Sequence, residues 1–288
     1  MSSTSMPDRH VMAGAESVPR GAVVTPLRSA VQPRFEIGRL TPNDIRYALS
    51  QGYADLRACR TDMTTMAILY PLAAIFIAGV FAVQGLLPFV FPICAGFALI
   101  GPMATLWFTA LSRQREIAGA VDAASAAAVF DTPRLDAIQR LGLTLVLLYL
   151  VWVGAAWGIY ANTLGASSAM AGASFLARVF ETGAGQSLIV IGCAVGALFA
   201  VVTLALSFVA FALVLDRDVS ASRAMATSLR VAARNPVPVL GWGAVVVAAL
   251  VLGALPGLLG LAVVLPLLGH ASWHLYRRAL PDTARHPV

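Results

Sequence analysis

Residues 182–215 read TGAGQSLIVIGCAVGALFAVVTLALSFVAFALVL, with no Asp, Glu, Lys or Arg among them. A bilayer core takes about 20 apolar residues per helix, and a charge near its centre costs roughly 2.5–3.5 kcal/mol. A stretch of this length and purity predicts a membrane crossing. Blocks 63–112, 141–177 and 235–276 share the property. The first and last of these three are each long enough for two crossings, and block 141–177 holds one. The reading is six transmembrane helices, at 62–83, 86–111, 134–161, 187–215, 237–255 and 257–276. The predicted fold class is all-α: a polytopic membrane protein of six transmembrane helices arranged as three hairpins, with short cytoplasmic amphipathic helices and both termini cytoplasmic.

Composition agrees. The chain is 59% hydrophobic and 12% charged, with a mean hydropathy of +0.80, whereas a soluble domain carries about 25% charged residues. The net charge of +6 is therefore no nucleic-acid footprint. The expected partner is the lipid bilayer, with no nucleic acid.

The distribution of Arg fixes the expected orientation. The chain has 20 basic residues, all Arg. Only Arg178 falls in the 162–186 loop. The others lie before the first span, in the 113–140 and 216–234 loops, and after the last span. The positive-inside rule makes their side the cytoplasm. Residues 1–40 lack the 7–15-residue apolar stretch of a signal peptide and are too polar to offset their ordering entropy. They are expected to form a disordered cytoplasmic tail. An amphipathic interfacial helix follows at 41–61, then the transmembrane domain at 62–278 and a short cytoplasmic tail at 279–288.

The spans are punctuated by uncharged turns at Gln84-Gly85 and Leu255-Pro256-Gly257, which predict antiparallel hairpins. Pro88, Pro92, Pro102 and Pro266 lie within spans and predict kinks. Gly96, Gly101, Gly192, Gly196 and Gly253 supply small faces for close helix packing. Cys94 and Cys193 fall inside spans, and with Cys59 they read as buried thiols. Each hairpin is preceded by a short segment (Tyr47 to Asp62, Ala118 to Pro133, Ala221 to Pro236) ending in Thr61-Asp62, Thr132-Pro133 or Asn235-Pro236, where Thr or Asn suits an N-cap. Aligned on these ends, Gly52 falls with Ala123 and Ala226, and Ala54 with Ser125 and Ser228. This is a faint threefold repeat.

In the first segment Thr41-Pro42-Asn43-Asp44 is a capped helix start. Ile45, Leu49, Gly52, Leu56 and Cys59 then form an apolar stripe. Arg46, Asp55, Arg57 and Arg60 lie mostly off it, so the helix is expected at the membrane surface or under the bundle.

The chemistry-bearing residues are few. His270 and His274 sit four apart on the sixth helix beside Trp273, Tyr276 and Arg277. Two His at this spacing can share a metal, with Asp216 and Asp218 at the same rim as further candidate ligands. The favoured reading is an interfacial anchor of Trp, Tyr and His with a snorkelling Arg. Asp216 and Asp218 oppose the helix dipole at the end of the fourth span and need partners, for which Arg223, Arg277 and Arg278 are the candidates. No acid or base is expected near a span midplane, where ion-coupled transporters place them. No catalytic residue, cofactor site or cofactor is assigned, and no enzyme activity is expected.

Arg60-Thr-Asp62, Tyr70-Pro71, Gly96-Phe-Ala-Leu-Ile-Gly-Pro102, Leu215-Asp-Arg-Asp-Val219, Arg234-Asn-Pro236 and Gly269-His-Ala-Ser-Trp-His-Leu-Tyr-Arg277 resemble an uncharacterised family of bacterial, mainly proteobacterial, integral membrane proteins with a conserved domain of unknown function. The resemblance covers about residues 36–278. It implies a multi-pass protein of the bacterial inner (plasma) membrane and supplies no activity. Some members carry a cytochrome c oxidase subunit label. A catalytic oxidase subunit holds its haem iron by residues such as His spread over several helices, and here the only two His within predicted spans share one helix. An accessory or assembly role beside respiratory-chain components is the part of that label the chain can bear. The expected function is a structural or accessory component packing with other membrane proteins. The alternative is a transporter or channel for a small uncharged or weakly polar solute, with Thr105, Ser207 and the proline kinks as its cavity.

The Arg distribution makes a direct prediction. Topology reporters fused after Gln84, Ser168 and Pro256 should report the outside, and those after Glu116, Ser220 and Pro281 the cytoplasm. One inverted reporter contradicts the six-span arrangement.

Overall fold

The computed structural model describes residues 35–59, 99, 101–119, 123–131, 134–165, 172–256 and 258–281. Among them every element is helical. The helices are α1 (Pro42–Ala58), α2 (Leu106–Ala118), α3 (Ala123–Ala127) with a 3-10 turn at Ala128–Asp131, α4 (Arg134–Thr163), α5 (Gly172–Glu181), α6 (Gly183–Ser207), α7 (Ala210–Asp216), α8 (Ala221–Arg234), α9 (Pro236–Ala254) and α10 (Leu261–Ala279). The predicted span 62–83, most of 86–111, the Gln84-Gly85 turn, Pro88, Pro92, Cys94, Gly96, the tail up to residue 34 and the end from 282 lie outside the described residues.

Among the described residues, three stretches are long and apolar enough to cross a membrane: Arg134–Thr163, Gly183–Asp216 and Pro236–Ala254. They match the predicted spans 134–161, 187–215 and 237–255. Their outward faces are apolar: Leu147 and Val151 on α4, Val190 and Leu198 on α6, and Val237 and Leu252 on α9 are exposed. Lipid is the solvent that makes such faces stable. The span at 187–215 carries a break at Phe208–Val209, between α6 and α7. There Ser228 reaches in from α8, donating to the Ala205 carbonyl at 2.7 Å and accepting from the Val209 N–H at 3.3 Å. The hydroxyl stands where one i→i+4 backbone bond would be, a recognised cause of a helix kink.

Several expectations need correction. The 162–186 loop contains a helix, α5, with Leu176 and Phe180 exposed. The predicted end of the second span at 111 falls mid-helix, because α2 continues through Ser112, Arg113, Arg115 and Glu116 to Ala118. Apolarity ends there, but the bundle does not. Cys193 is exposed on α6, while Cys59 is buried. Of the small faces, Gly196 abuts Trp152 and Gly253 abuts Gly260, while no atom of the described residues stands within 4 Å of a Cβ built on Gly101 or Gly192. Pro266 sits inside α10 without ending it. In α8 the buried residues are Ala221, Ala224, Thr227, Ser228 and Val231, and in α1 they are Ile45, Ala48, Gly52, Asp55 and Leu56.

α1 starts as expected, with the Asp44 carboxylate accepting from the Thr41 N–H at 2.8 Å and from the Thr41 hydroxyl at 2.7 Å. It then packs along α10, its most extensive partner. The contact is close because position 52 has no side chain: a Cβ there would stand 2.7 Å from the Ala271 backbone nitrogen. Gly269 does the same for α2, where a Cβ would stand 2.6 Å from the Thr105 carbonyl oxygen. The Thr109 hydroxyl donates to the Gly269 carbonyl at 3.0 Å.

Asn235 does not cap α9 with its side chain. Buried, it accepts from the Leu40 N–H at 2.8 Å and donates to the Gly38 carbonyl at 3.1 Å. The Gly38 N–H donates to the Ala279 carbonyl at 2.9 Å. The segment before α1 thus ties the start of α9 to the end of α10. At the opposite ends Gly253 and Gly260 touch, so α9 and α10 run antiparallel with matched ends.

Candidate functional site

α10 brings two polar groups together. The first is built on Asp55, which sits on the buried face of α1 and is 4% exposed. Its Oδ2 lies 2.5 Å from Ser112 Oγ of α2 and 2.8 Å from His274 Nε2 of α10. Its Oδ1 is held by Arg115 of α2. Ser112 Oγ also lies 2.8 Å from His270 Nδ1. An ionised carboxylate only accepts hydrogen bonds. Ser112 and His274 therefore donate to Asp55, and the Ser112 oxygen accepts from Nδ1–H of His270. That leaves His270 Nε2 as a bare acceptor. His270 is fully buried, edge-on to the Phe108 ring at 5.5 Å. The ring also shares a hydrogen bond with the Phe108 backbone, while Nε2 has no partner of hydrogen-bond geometry among the described residues.

Burial would raise the carboxyl pKa of Asp55. The hydrogen bonds from His274 and Ser112, with the positive character of the imidazoles, outweigh it and hold the group below its ordinary value of 3.8.

The second group is built on Asp216, at the C-terminus of α7. Its Oδ2 accepts from the Tyr276 hydroxyl at 2.7 Å. Arg113, Arg217 and Arg277 surround it at 3.6, 3.7 and 3.9 Å. Arg277 also pairs with Glu116 at 3.0 Å, and the Trp273 indole N–H donates to the other Glu116 oxygen at 2.7 Å. Three cations answer the helix-dipole conflict that Asp216 creates.

Of the residues expected to act at this rim, His270 and His274 do meet, through Ser112 and Asp55. Asp216 belongs to the neighbouring group, and Asp218 is exposed. The four do not converge, and no cluster of three or more His, Cys, Asp or Glu placed to hold a metal exists among the described residues. The anchor reading is corrected: Trp273, Tyr276 and His270 are buried inside the bundle. Arg277 does pair with Asp216. Arg278 pairs with Asp44 at 3.4 Å, and Arg223 lies over the Phe35 ring at 4.9 Å.

Asp55, Ser112, Arg115 and Glu116 were missed. Asp55 lies off the stripe of Ile45, Leu49, Gly52, Leu56 and Cys59, although Ile45, Ala48, Gly52, Asp55 and Cys59 recur at equally helical spacing. Arg113 to Glu116 fall in the predicted 113–140 loop, because hydropathy stops at Ser112.

The depth of the first group also differs from expectation. With matched ends and a rise of 1.5 Å per residue, His270 lies about 14 Å from the shared end, level with the middle of α9. The acid comes from α1, outside the charge-free blocks, and the imidazoles from α10, whose residues up to 276 carry no Asp, Glu, Lys or Arg.

A Ser, a His and an Asp in contact suggest a nucleophilic triad, but the order is wrong. In such a triad the His lies between the other two. Here Ser112 lies between Asp55 and His270 and is 1% exposed. Thr105 and Ser207 are the residues expected to line a solute cavity. Both are buried, and Ser207 donates to the Thr203 carbonyl of its own helix at 2.7 Å.

Residues 90–216 match a family described as a predicted integral membrane protein (DUF2189). No curated protein and no solved structure matches the chain. The family match and the apolar helices agree: this is an integral membrane protein with a domain of unknown function.

The Asp55 network sets a pH dependence. Its carboxyl is held below 3.8 when folded, so the unfolded chain binds more protons in that range. The stabilisation is complete above the ordinary value and is lost as pH falls through the lower folded one. Thermal unfolding of the purified protein should show Asp55→Asn less stable than the parent by about 3 kcal/mol at neutral pH. The gap should close below about pH 3.8. A gap that is absent, or that does not close in acid, contradicts the assignment.

Proposed function

We propose that this chain is a structural or accessory component of a bacterial inner membrane. It crosses six times with both termini on the Arg-rich cytoplasmic side, and it packs with other membrane proteins, respiratory-chain components among the candidates. The observation that carries this reading is the use made of charge. Asp55, Asp216 and Glu116 are each engaged by Arg, His, Tyr or Trp side chains of the same chain. Such groups lock helix ends and are not arranged around a reacting atom, so no enzyme activity is assigned.

A transporter or channel for a small uncharged or weakly polar solute is the second reading. The level of Asp55 and His270 beside the middle of α9 favours it, because ionisable groups at membrane depth mark solute and proton paths.

Affinity purification from native membranes in a mild detergent separates the two. The accessory reading expects a fixed set of membrane proteins in constant ratio, lost when the chain is deleted. A chain that purifies alone and confers solute flux on proteoliposomes overturns it in favour of the second reading.

A further inference from the structure

We propose that His270 Nε2 is a proton-binding site, and that a proton taken up there and passed through Ser112 to Asp55 releases α1 from α10. Three observations meet at this point. His270 is fully buried and its Nε2 has no hydrogen-bond partner among the described residues. Its other nitrogen is oriented by a continuous chain, 2.8 Å from Nδ1 to Ser112 Oγ and 2.5 Å from Ser112 Oγ to Asp55 Oδ2. That chain ends on the carboxylate by which α1 is held to α2 and α10.

The step balances. A hydronium ion gives its proton to Nε2 and leaves as water. The Nδ1 proton passes to Ser112 Oγ as the Ser112 hydroxyl proton passes to Asp55 Oδ2. The ring ends neutral with its proton on Nε2, Ser112 keeps one proton, and Asp55 ends as the neutral acid. One proton is gained and no electron moves. Arg115 and His274 then face a neutral acid in place of a carboxylate, and the electrostatic part of the clamp on α1 is gone.

The charged and titratable groups around the ring are few. α1 contributes Asp55, α2 contributes Arg115, and α10 contributes His274. Arg113, Glu116, Asp216 and Arg277 belong to the adjoining group and are paired within it. Among the described residues, the only acid in reach of His270 is thus the one that seats α1.

The test uses the full chain in lipid nanodiscs with ¹⁵N-labelled His. His270, identified by its loss in His270→Gln, should carry its proton on Nδ1 at neutral pH, and Ser112→Ala should erase that preference. Hydrogen exchange of residues 42–58, corrected for intrinsic rates, should quicken by about tenfold per pH unit as the pH falls below 3.8, the slope of a one-proton linkage. His270→Gln should abolish the slope and His274→Gln should keep it. A proton on Nε2 at neutral pH, a flat exchange profile, or a slope that survives His270→Gln overturns the proposal. Loss of the slope in His274→Gln alone moves the site to the other imidazole and overturns it as well.

Discussion

A carboxylate removed from water must be met by donors or a cation, because an uncompensated buried charge costs several kcal/mol. Asp55 is such a carboxylate, and its donors come from two other helices. Ser112 and Arg115 of α2 and His274 of α10 close around it. α1 can therefore occupy only one register against its neighbours. Gly52 and Gly269 make that register reachable by letting α1 and α2 approach α10 at backbone distance. If either helix slid by a residue, the carboxylate would face apolar side chains.

Asp216 repeats the device one turn further along α10. Tyr276 and Arg277 reach it from α10, and Arg113 reaches it from α2. The two acids fix successive turns of the same helix. Elsewhere the described helices turn apolar side chains outward and settle polar backbone groups internally, as a bilayer requires. Where α6 gives way to α7, the freed backbone groups are taken by Ser228. Polar chemistry thus sits where helices end, bend or meet.

The length and apolarity of α4, α6 with α7, and α9 were legible because lipid imposes one rule on every residue of a span. The Thr41 start of α1 was legible because its capping chemistry is local. The polar groups were not. Asp55 meets Ser112 and His274 across 57 and 219 residues of chain, and no periodicity records such a pairing. Trp273 and Tyr276 look like interfacial anchors by type, but they are buried because Glu116 and Asp216 supply acceptors. Asn235 looks like a cap, yet its amide serves the backbone at Gly38 and Leu40. The helix of α5 was hidden for a simpler reason: its Gly-, Ala- and Ser-rich approach reads as loop.

The account stands on the pairing of Asp55 with Arg115. A double-mutant cycle in unfolding free energy, with Asp55→Asn, Arg115→Gln and the double variant, measures it directly. The coupling should reach about 1–3 kcal/mol, as for groups in one buried network. Additivity within about 0.5 kcal/mol would mean that the carboxylate is not what holds α1 to α2, and the account would fail at its base.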